Sequence, residues 1–226
     1  MSKPSFRVIG LGRAGTAVQR ALTKVGWRAI DEGADVVFVA TPDHAIAEVA
    51  GALPVTHAAV VHLSGSLGLD VLAPHPRRAS VHPMMALPDG ETGARRLLDH
   101  GNFALNAGGD PIGQTIVDAL GGRSITLPDD PDARARHHAA CCIAGNYVTT
   151  VLGLVERLVE HPAAYLDLAR GAIDNVAELG AAAALTGPVA RGDHATVDRH
   201  RAVVPADQQA FHEALIASAE ELSRCK

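Results

Sequence analysis

A chain of 226 residues that is 47% hydrophobic and 20% charged is long enough to bury one large core or two small ones. Its net charge of -5, with no basic run and only 3% aromatic residues, argues against a nucleic-acid surface. The apolar runs look too short and punctuated to span a bilayer and no signal-like apolar region opens the chain, so a cytoplasmic protein without a membrane partner is expected. The three cysteines, Cys141, Cys142 and Cys225, include an adjacent pair and suit a reducing compartment better than a disulfide framework.

The chain opens with a short apolar strand, Phe6 to Gly10, that runs into Gly10-Leu11-Gly12-Arg13-Ala14-Gly15 and then into a helical pattern from Gly12 to Val25. In a strand–turn–helix setting the first glycine makes a tight turn, the second lets a pyrophosphate approach, and the third packs helix on strand. Gly10, Gly12, Arg13, Ala14 and Gly15 are therefore candidates to hold a dinucleotide, NADP or NAD, at the helix start. Only Trp27 to Gly33 separates this unit from the next strong strand, Ala34 to Ala40, so the second strand is a stub or is missing with its helix. Asp31 stands at the right count to hold a ribose, or is a surface turn.

The alternation then continues. Thr41 and Pro42 end a strand at the edge where open α/β sheets bind ligands, and Asp43 is expected to cap a helix from Ala45 to Leu53. Ala58 to Leu63 reads as a strand ending in Ser64-Gly65-Ser66, with the Ser64 hydroxyl exposed, and is followed by a helical stretch from Leu69 to Leu72. Ala79 to His82, Phe103 to Asn106 and Ser124 to Leu127 read as further strands, with a helix from Ile112 to Leu120. Such alternation implies an α/β, Rossmann-like, largely parallel sheet with right-handed crossovers. After Pro128-Asp129-Asp130-Pro131 the pattern turns helical, through Ala139 to Val159, Ala164 to Ala184 and Phe211 to Leu222, with Leu185 to Asp193 too rich in Gly and Pro for a helix. The expected division is residues 1–129, a dinucleotide-binding domain, and 130–226, an all-helical domain.

Gly10 to Gly15, Thr41-Pro42-Asp43, His62-Leu63-Ser64-Gly65, His82-Pro83, His138 with Asn146-Tyr147, and Leu185 to Asp193 followed by Thr196 and His200 together resemble the unknown-function family numbered 2520, Rossmann-like proteins with a helical C-terminal domain. That family is similar in architecture to pyrroline-5-carboxylate reductase, ketopantoate reductase and 6-phosphogluconate dehydrogenase. The resemblance implies an NAD(P)-dependent reductase that forms a homodimer through a 6-phosphogluconate-dehydrogenase-like helical domain.

With Lys3, Lys24 and Lys226 as the only lysines, a catalytic lysine is unavailable, and proton donation falls to His, Ser, Tyr or water. His82 and His138 are the histidine candidates, with Ser64 at a strand end and Asn146 as an orienting amide; each is also open to a packing role. His62, inside an apolar run, reads as structural. Arg191 offers a planar fork to a carboxylate, or pairs with Asp193 to shape the loop; Thr186, Arg191 and Asp193 are the substrate-binding candidates there. His138, Cys142 and Asn146 share one helix face at i, i+4, i+8, and zinc on His138 and Cys142 needs a third ligand, His82 or His62, that linear spacing does not specify; no metal is assigned. The expected activity is reduction of a small carboxylated keto or imino compound. The alternatives are a lyase, cyclase or isomerase that has lost the dinucleotide, and a non-catalytic ligand-binding protein.

Overall fold

The first apolar run forms strand β1, Ser5–Ile9, inside a seven-stranded sheet in the computed structural model, which describes residues 3–225. The remaining strands are β2 (Arg28–Ala29), β3 (Val36–Val39), β4 (Ala59–His62), β5 (Arg78–Pro83), β6 (Asn102–Asn106) and β7 (Arg123–Leu127), in the order β2-β1-β3-β4-β5-β6-β7. Strands β1 to β5 run parallel, whereas β6 is antiparallel to β5 and carries β7 parallel to itself. The sheet is thus the expected α/β Rossmann-like one, mostly parallel, with its last two strands reversed. Strand β4 is buried at all four residues and β3 at three of four, so both read as near-continuous apolar runs.

Helix α1 (Arg13–Lys24) buries Ala17, Val18, Ala21 and Leu22 in a core shared with Phe6, Phe38, Val61 and Phe103. Burying a leucine-sized side chain here contributes about 1.5–3 kcal/mol. Helix α2 (Asp43–Ala52) buries Ile46 and Ala50 in a second cluster with Val39, Val60 and Leu72. Helix α3 (Gly90–Leu97), which the periodicity does not announce, begins where the Asp89 carboxylate accepts from the Glu91 and Thr92 N–H groups at 2.8 and 2.7 Å. Helix α4 is Ile112–Ala119.

Strand β2 is a stub of two residues, paired with β1 only at Ser5↔Arg28 and Phe6↔Ala29. The chain then turns back through residues 31–33 into β3 without a helix. The sheet face is left open there as a groove of about 220 Å³, with the register partners Arg7, Val37 and Val60 among its lining residues.

Contacts divide the chain into two units, Met1–Asn146 and Tyr147–Lys226. Helix α5 (Pro131–Cys142) belongs to the first: Pro131 sits at its start and the Asp130 carboxylate accepts from Ala133 N–H at 2.8 Å, so the Pro/Asp-rich stretch where the pattern changes is a helix start signal. A π-helical turn, Ile143–Tyr147, carries α5 into α6 (Val148–Leu158). The resulting run, Pro131–Leu158, is long and apolar enough to cross a membrane by length and composition. This corrects the expectation that no apolar stretch reaches that length: Gly145 and Asn146 punctuate the sequence, but the π turn passes straight through them.

The second unit continues with α7 (Leu166–Leu179), α8 (Ala181–Ala184), α9 (Gly187–Arg191), α10 (His194–Val203) and α11 (Gln209–Ser223), and no strand follows β7 among the described residues. Helix α9 corrects the reading of Leu185 to Asp193 as non-helical. Pro188 lies in its first turn, where the missing N–H costs nothing, and Gly192 ends it in the left-handed region, at φ 69°.

Candidate functional site

The three glycines of the first turn do three different things. Gly10 has φ +93°, and a Cβ there would lie 2.6 Å from the Ala40 carbonyl oxygen. A Cβ on Gly15 would lie 2.0 Å from the Gly10 carbonyl oxygen, so helix and turn touch at that point. A Cβ on Gly12 would meet nothing within 4 Å. The middle glycine is therefore the one that protein packing does not demand. It occupies the N-cap of α1, which has no side-chain cap and no acidic residue in its first turn, so the first N–H groups are available to an anion. Arg13 is exposed beside it and Ala14 half-buried. Thr41 follows β3 next to Gly10, and its buried Oγ1 has no hydrogen-bond partner among the described residues; Pro42 is the N-cap of α2. These features fit the pyrophosphate of a dinucleotide. Asp31 is exposed and lines the groove beside Gly33, Ala34 and Thr56.

The loop after β4 is held shut by hydrogen bonds. Ser64 Oγ and Ser66 Oγ each donate to Asp43 Oδ2 at 2.7 Å, and Ser64 Oγ accepts from the Ser66 and Leu67 N–H groups, both at 3.2 Å. Two sequence expectations are corrected here. The Ser64 hydroxyl is buried rather than exposed, because four polar neighbours fold the loop around it. Asp43 makes no cap hydrogen bond; it is the first residue of α2, and its carboxylate serves the two serines instead.

His62 is the structural residue its apolar run predicts. Its Nε2–H donates to the Gly68 carbonyl at 3.0 Å while Nδ1 accepts from Ser64 N–H at 3.2 Å, which defines one neutral tautomer. Burial pushes its pKa down to about 4. An unfolded chain binds a proton at His62 below pH 6.5 that the folded protein refuses until about pH 4, so stability is fully present above that window and falls with pH through it. We expect a loss on the order of 2 kcal/mol from this site, read as a lower urea midpoint at pH 5 than at pH 7.5. His62→Gln should flatten that dependence, and an unchanged slope would remove His62 as its source.

A cluster of imidazoles and thiols lies where the end of β5 meets α5. His82 Nδ1 and His137 Nε2 share a hydrogen bond of 3.0 Å, with the rings edge to face at a centroid distance of 5.2 Å. The His138 ring is also within reach of His82, at 6.4 Å between centroids. Cys141 Sγ lies 3.7 Å from His137 Nε2, and Cys142 Sγ lies 4.0 Å from His138 Nε2 and 3.9 Å from Asn146 Nδ2. The expected row of His138, Cys142 and Asn146 is thus real, with Asn146 in the π turn. Gly65 makes room for the site: a Cβ there would be 2.7 Å from His82 Cε1. Burial, then the like charges of His137, His138 and Arg134, lowers the His82 pKa to about 4, and burial lowers that of His137 as well. Burial raises the Cys141 thiol.

Arg134, one helical turn before His137, is 1% exposed, and Nε and both terminal nitrogens have no hydrogen-bond partner among the described residues. It borders a cavity of about 340 Å³ with Ser66, Gly68, Asp70, Asp129 and Asp130. Asp129 offsets its charge only at a distance and accepts no hydrogen bond from it; Asp129 Oδ1 accepts from Asn106 Nδ2 at 2.8 Å. A buried, unpaired guanidinium presents five N–H donors to any anion that enters.

The structure places the His82 and His138 rings near one another, and beside them it places His137, Cys141 and the buried Arg134, of which His137 and Arg134 were assigned no role from the sequence. The signal was present: residues 134, 137 and 141 are spaced i, i+3, i+7, and His137 with Cys141 repeats the i, i+4 spacing of His138 with Cys142 one residue earlier. The remaining candidates lie in the second unit. Thr186 is the N-cap of α9, Arg191 is exposed at its last turn, and Asp193 Oδ1 accepts from Thr196 N–H at 3.1 Å as the cap of α10.

No curated protein matches the chain. Among solved structures it is similar to protein TM1727 from Thermotoga maritima, with 25% identity, a TM-score of 0.73, and 97% of this chain and 98% of that one covered. It is also similar to a putative NADP oxidoreductase, BF3122 from Bacteroides fragilis, with 21% identity, a TM-score of 0.81, and coverages of 97% and 99%. A reductive aminase from Aspergillus terreus, solved with NADPH and ethyl levulinate, shares 15% identity at a TM-score of 0.67, covering 98% of both chains. These likenesses establish the fold, a Rossmann-like sheet followed by a helical C-terminal region. The family described as Domain of unknown function (DUF2520) matches residues 104–219, just over half of the chain, and to that family, as its motifs imply, this protein belongs.

Proposed function

We propose that the protein is an NADP- or NAD-dependent reductase of a small keto or imino compound that carries a carboxylate. The observation that carries the reading is Gly12: an N-cap glycine with nothing within 4 Å of where its side chain would begin, between two glycines that packing requires. In this reading the bound dinucleotide supplies the hydride. The turn from Gly10 to Gly15 receives its pyrophosphate, and the orphaned Thr41 Oγ1 gains a partner. Arg134 takes the substrate carboxylate. His82 enters neutral, and a carboxylate beside Arg134 offsets the like charges around it, raising its affinity for the proton that must accompany hydride to a carbonyl. His138 and Asn146 orient the reacting group. The direct test is titration of the pure protein with NADPH and NADH by calorimetry. Saturable heat with one of them is expected, and none with either overturns the reading.

The stub β2 favours one second reading, acid–base lyase or isomerase chemistry at the same histidines without a dinucleotide. Turnover in the absence of nicotinamide would select it.

We further propose that the protein works as a homodimer. Helix α7 has no buried residue although Leu168, Ile173 and Leu179 are all more than half exposed, a surface that association with a second copy would remove from water. Sedimentation at micromolar concentration should give twice the chain mass, and Ile173→Glu should shift it toward monomer. A monomer throughout would exclude the dimer.

A further inference from the structure

His82, His137 and Cys141 each offer a ligand atom, and these atoms all lie within 4.8 Å of one another. We infer that the three side chains form a binding site for a divalent transition metal of the zinc class, with a fourth position open to solvent or substrate. This goes beyond the reductase reading and does not depend on a dinucleotide.

The distances suit one ion. Tetrahedral zinc, with bonds of about 2.0–2.1 Å to nitrogen and about 2.3 Å to sulfur, sets its ligand atoms about 3.3 Å apart for N and N and about 3.6 Å apart for N and S. Here His82 Nδ1 and His137 Nε2 are 3.0 Å apart, and His137 Nε2 and Cys141 Sγ are 3.7 Å apart. Two of the three edges of the ligand triangle are therefore nearly at their bound lengths. The third is within 4.8 Å, so a movement of at most about 1 Å of the Cys141 or His82 side chain brings it to the same spacing.

The ligands are positioned by different elements, as a specific site requires. His82 comes from β5, with its ring pressed onto Gly65, while His137 and Cys141 stand at i, i+4 on α5. Two imidazoles and one thiolate favour zinc, or cobalt as its probe, over magnesium or calcium, which need oxygen ligands. Proton accounting is simple. Each imidazole binds through the nitrogen now engaged in the shared hydrogen bond, so the one that donates that bond first moves its proton, through solvent, to its other ring nitrogen, and each keeps one proton. Cys141 releases its thiol proton to solvent, so one proton leaves per metal bound. Loading takes the lone pairs of His82 and His137, so His82 can take up the proton of the reductase reading only in the metal-free protein, and His138 is left as the neighbouring imidazole free of the metal. The buried Arg134 cation disfavours a bare ion but supports an anion in the fourth position, so the site would select hydroxide or a carboxylate there.

The test uses the full-length protein stripped with a chelator and titrated with Co²⁺, without nicotinamide. Expected are the ligand-field bands of tetrahedral cobalt with a thiolate-to-cobalt charge-transfer band, saturating at one ion per chain and bleached by Zn²⁺. Cys141→Ser should lose the charge-transfer band, Cys142→Ser should keep it, and His137→Gln should weaken Co²⁺ binding more than about 100-fold. X-ray absorption on the zinc-loaded wild type, which requires no variant to fold, should show two nitrogens and one sulfur among the ligands. The inference is overturned by a wild type without these bands, by a charge-transfer band that survives in Cys141→Ser or depends on Cys142, or by a zinc shell without sulfur.

Discussion

Gly12→Asp is expected to leave the protein folded and to abolish binding of NADPH and NADH, a loss of more than about 100-fold, or about 2.7 kcal/mol. The variant is discriminating because Gly12 is the one glycine of the turn whose added Cβ meets no protein atom within 4 Å. An aspartate there also suits the start of α1 electrostatically and can cap it, so the free protein should lose nothing and could gain a few tenths of a kcal/mol. What it opposes is a second negative group at the same N–H donors. Gly15→Ala makes the contrast: its Cβ would lie 2.0 Å from the Gly10 carbonyl oxygen, a backbone atom that cannot move aside. That variant should lose several kcal/mol of stability or fail to fold, whatever the ligand. Calorimetric titration of folded Gly12→Asp decides the matter. Undiminished NADPH binding by it would remove the glycine turn as the pyrophosphate site, even if the wild type binds the cofactor.

The sheet was legible because strands covered on both faces must be apolar throughout: β3 and β4 have no polar residue to interrupt the run until His62, and β1 is interrupted only at Arg7, which is exposed. The stub β2 was legible by arithmetic, since residues 27–33 leave no room for a strand and a helix. Less visible was α9, because Gly and Pro punctuate either a loop or the two ends of a short helix, and composition does not tell which. The cluster was half legible for a geometric reason. Adjacent helix positions differ by about 100° in direction, so His137-His138 followed by Cys141-Cys142 offers two equivalent pairs. Only the docking of α5 against β5 decides that His137 and Cys141 face His82 directly while His138 and Cys142 sit beside them. Arg134 was invisible for a different reason. A lone arginine in a first turn reads as solvated, and its burial without a partner is a property of tertiary packing alone.

That arginine gives the other large effect. Arg134→Met should raise stability and cost function together. A guanidinium that is 1% exposed and hydrogen-bonded to none of the described residues has given up its hydration for no more than the distant charge of Asp129, and an unbranched apolar side chain of similar length fills the same space without that penalty. By analogy with buried charges replaced by packed apolar residues, the gain should be about 1–4 kcal/mol, visible as a thermal midpoint several degrees higher for a chain of this size. The same change removes the only donors in the cavity that can meet a carboxylate with a planar fork. In wild type, a short 2-oxo acid at about 100 times its Kd should add about 2.7 kcal/mol of apparent stability, and in Arg134→Met that ligand-dependent shift should vanish. With NADPH as reductant, kcat/KM for such an acid should fall at least about 100-fold, while NADPH affinity stays within about twofold because the glycine turn is untouched. Arg134→Lys separates charge from shape: it keeps the positive charge but loses the bidentate fork, so it should lie between wild type and Arg134→Met in both measurements. A methionine variant that is less stable and reduces 2-oxo acids as well as wild type would show that the guanidinium holds the fold and receives no substrate.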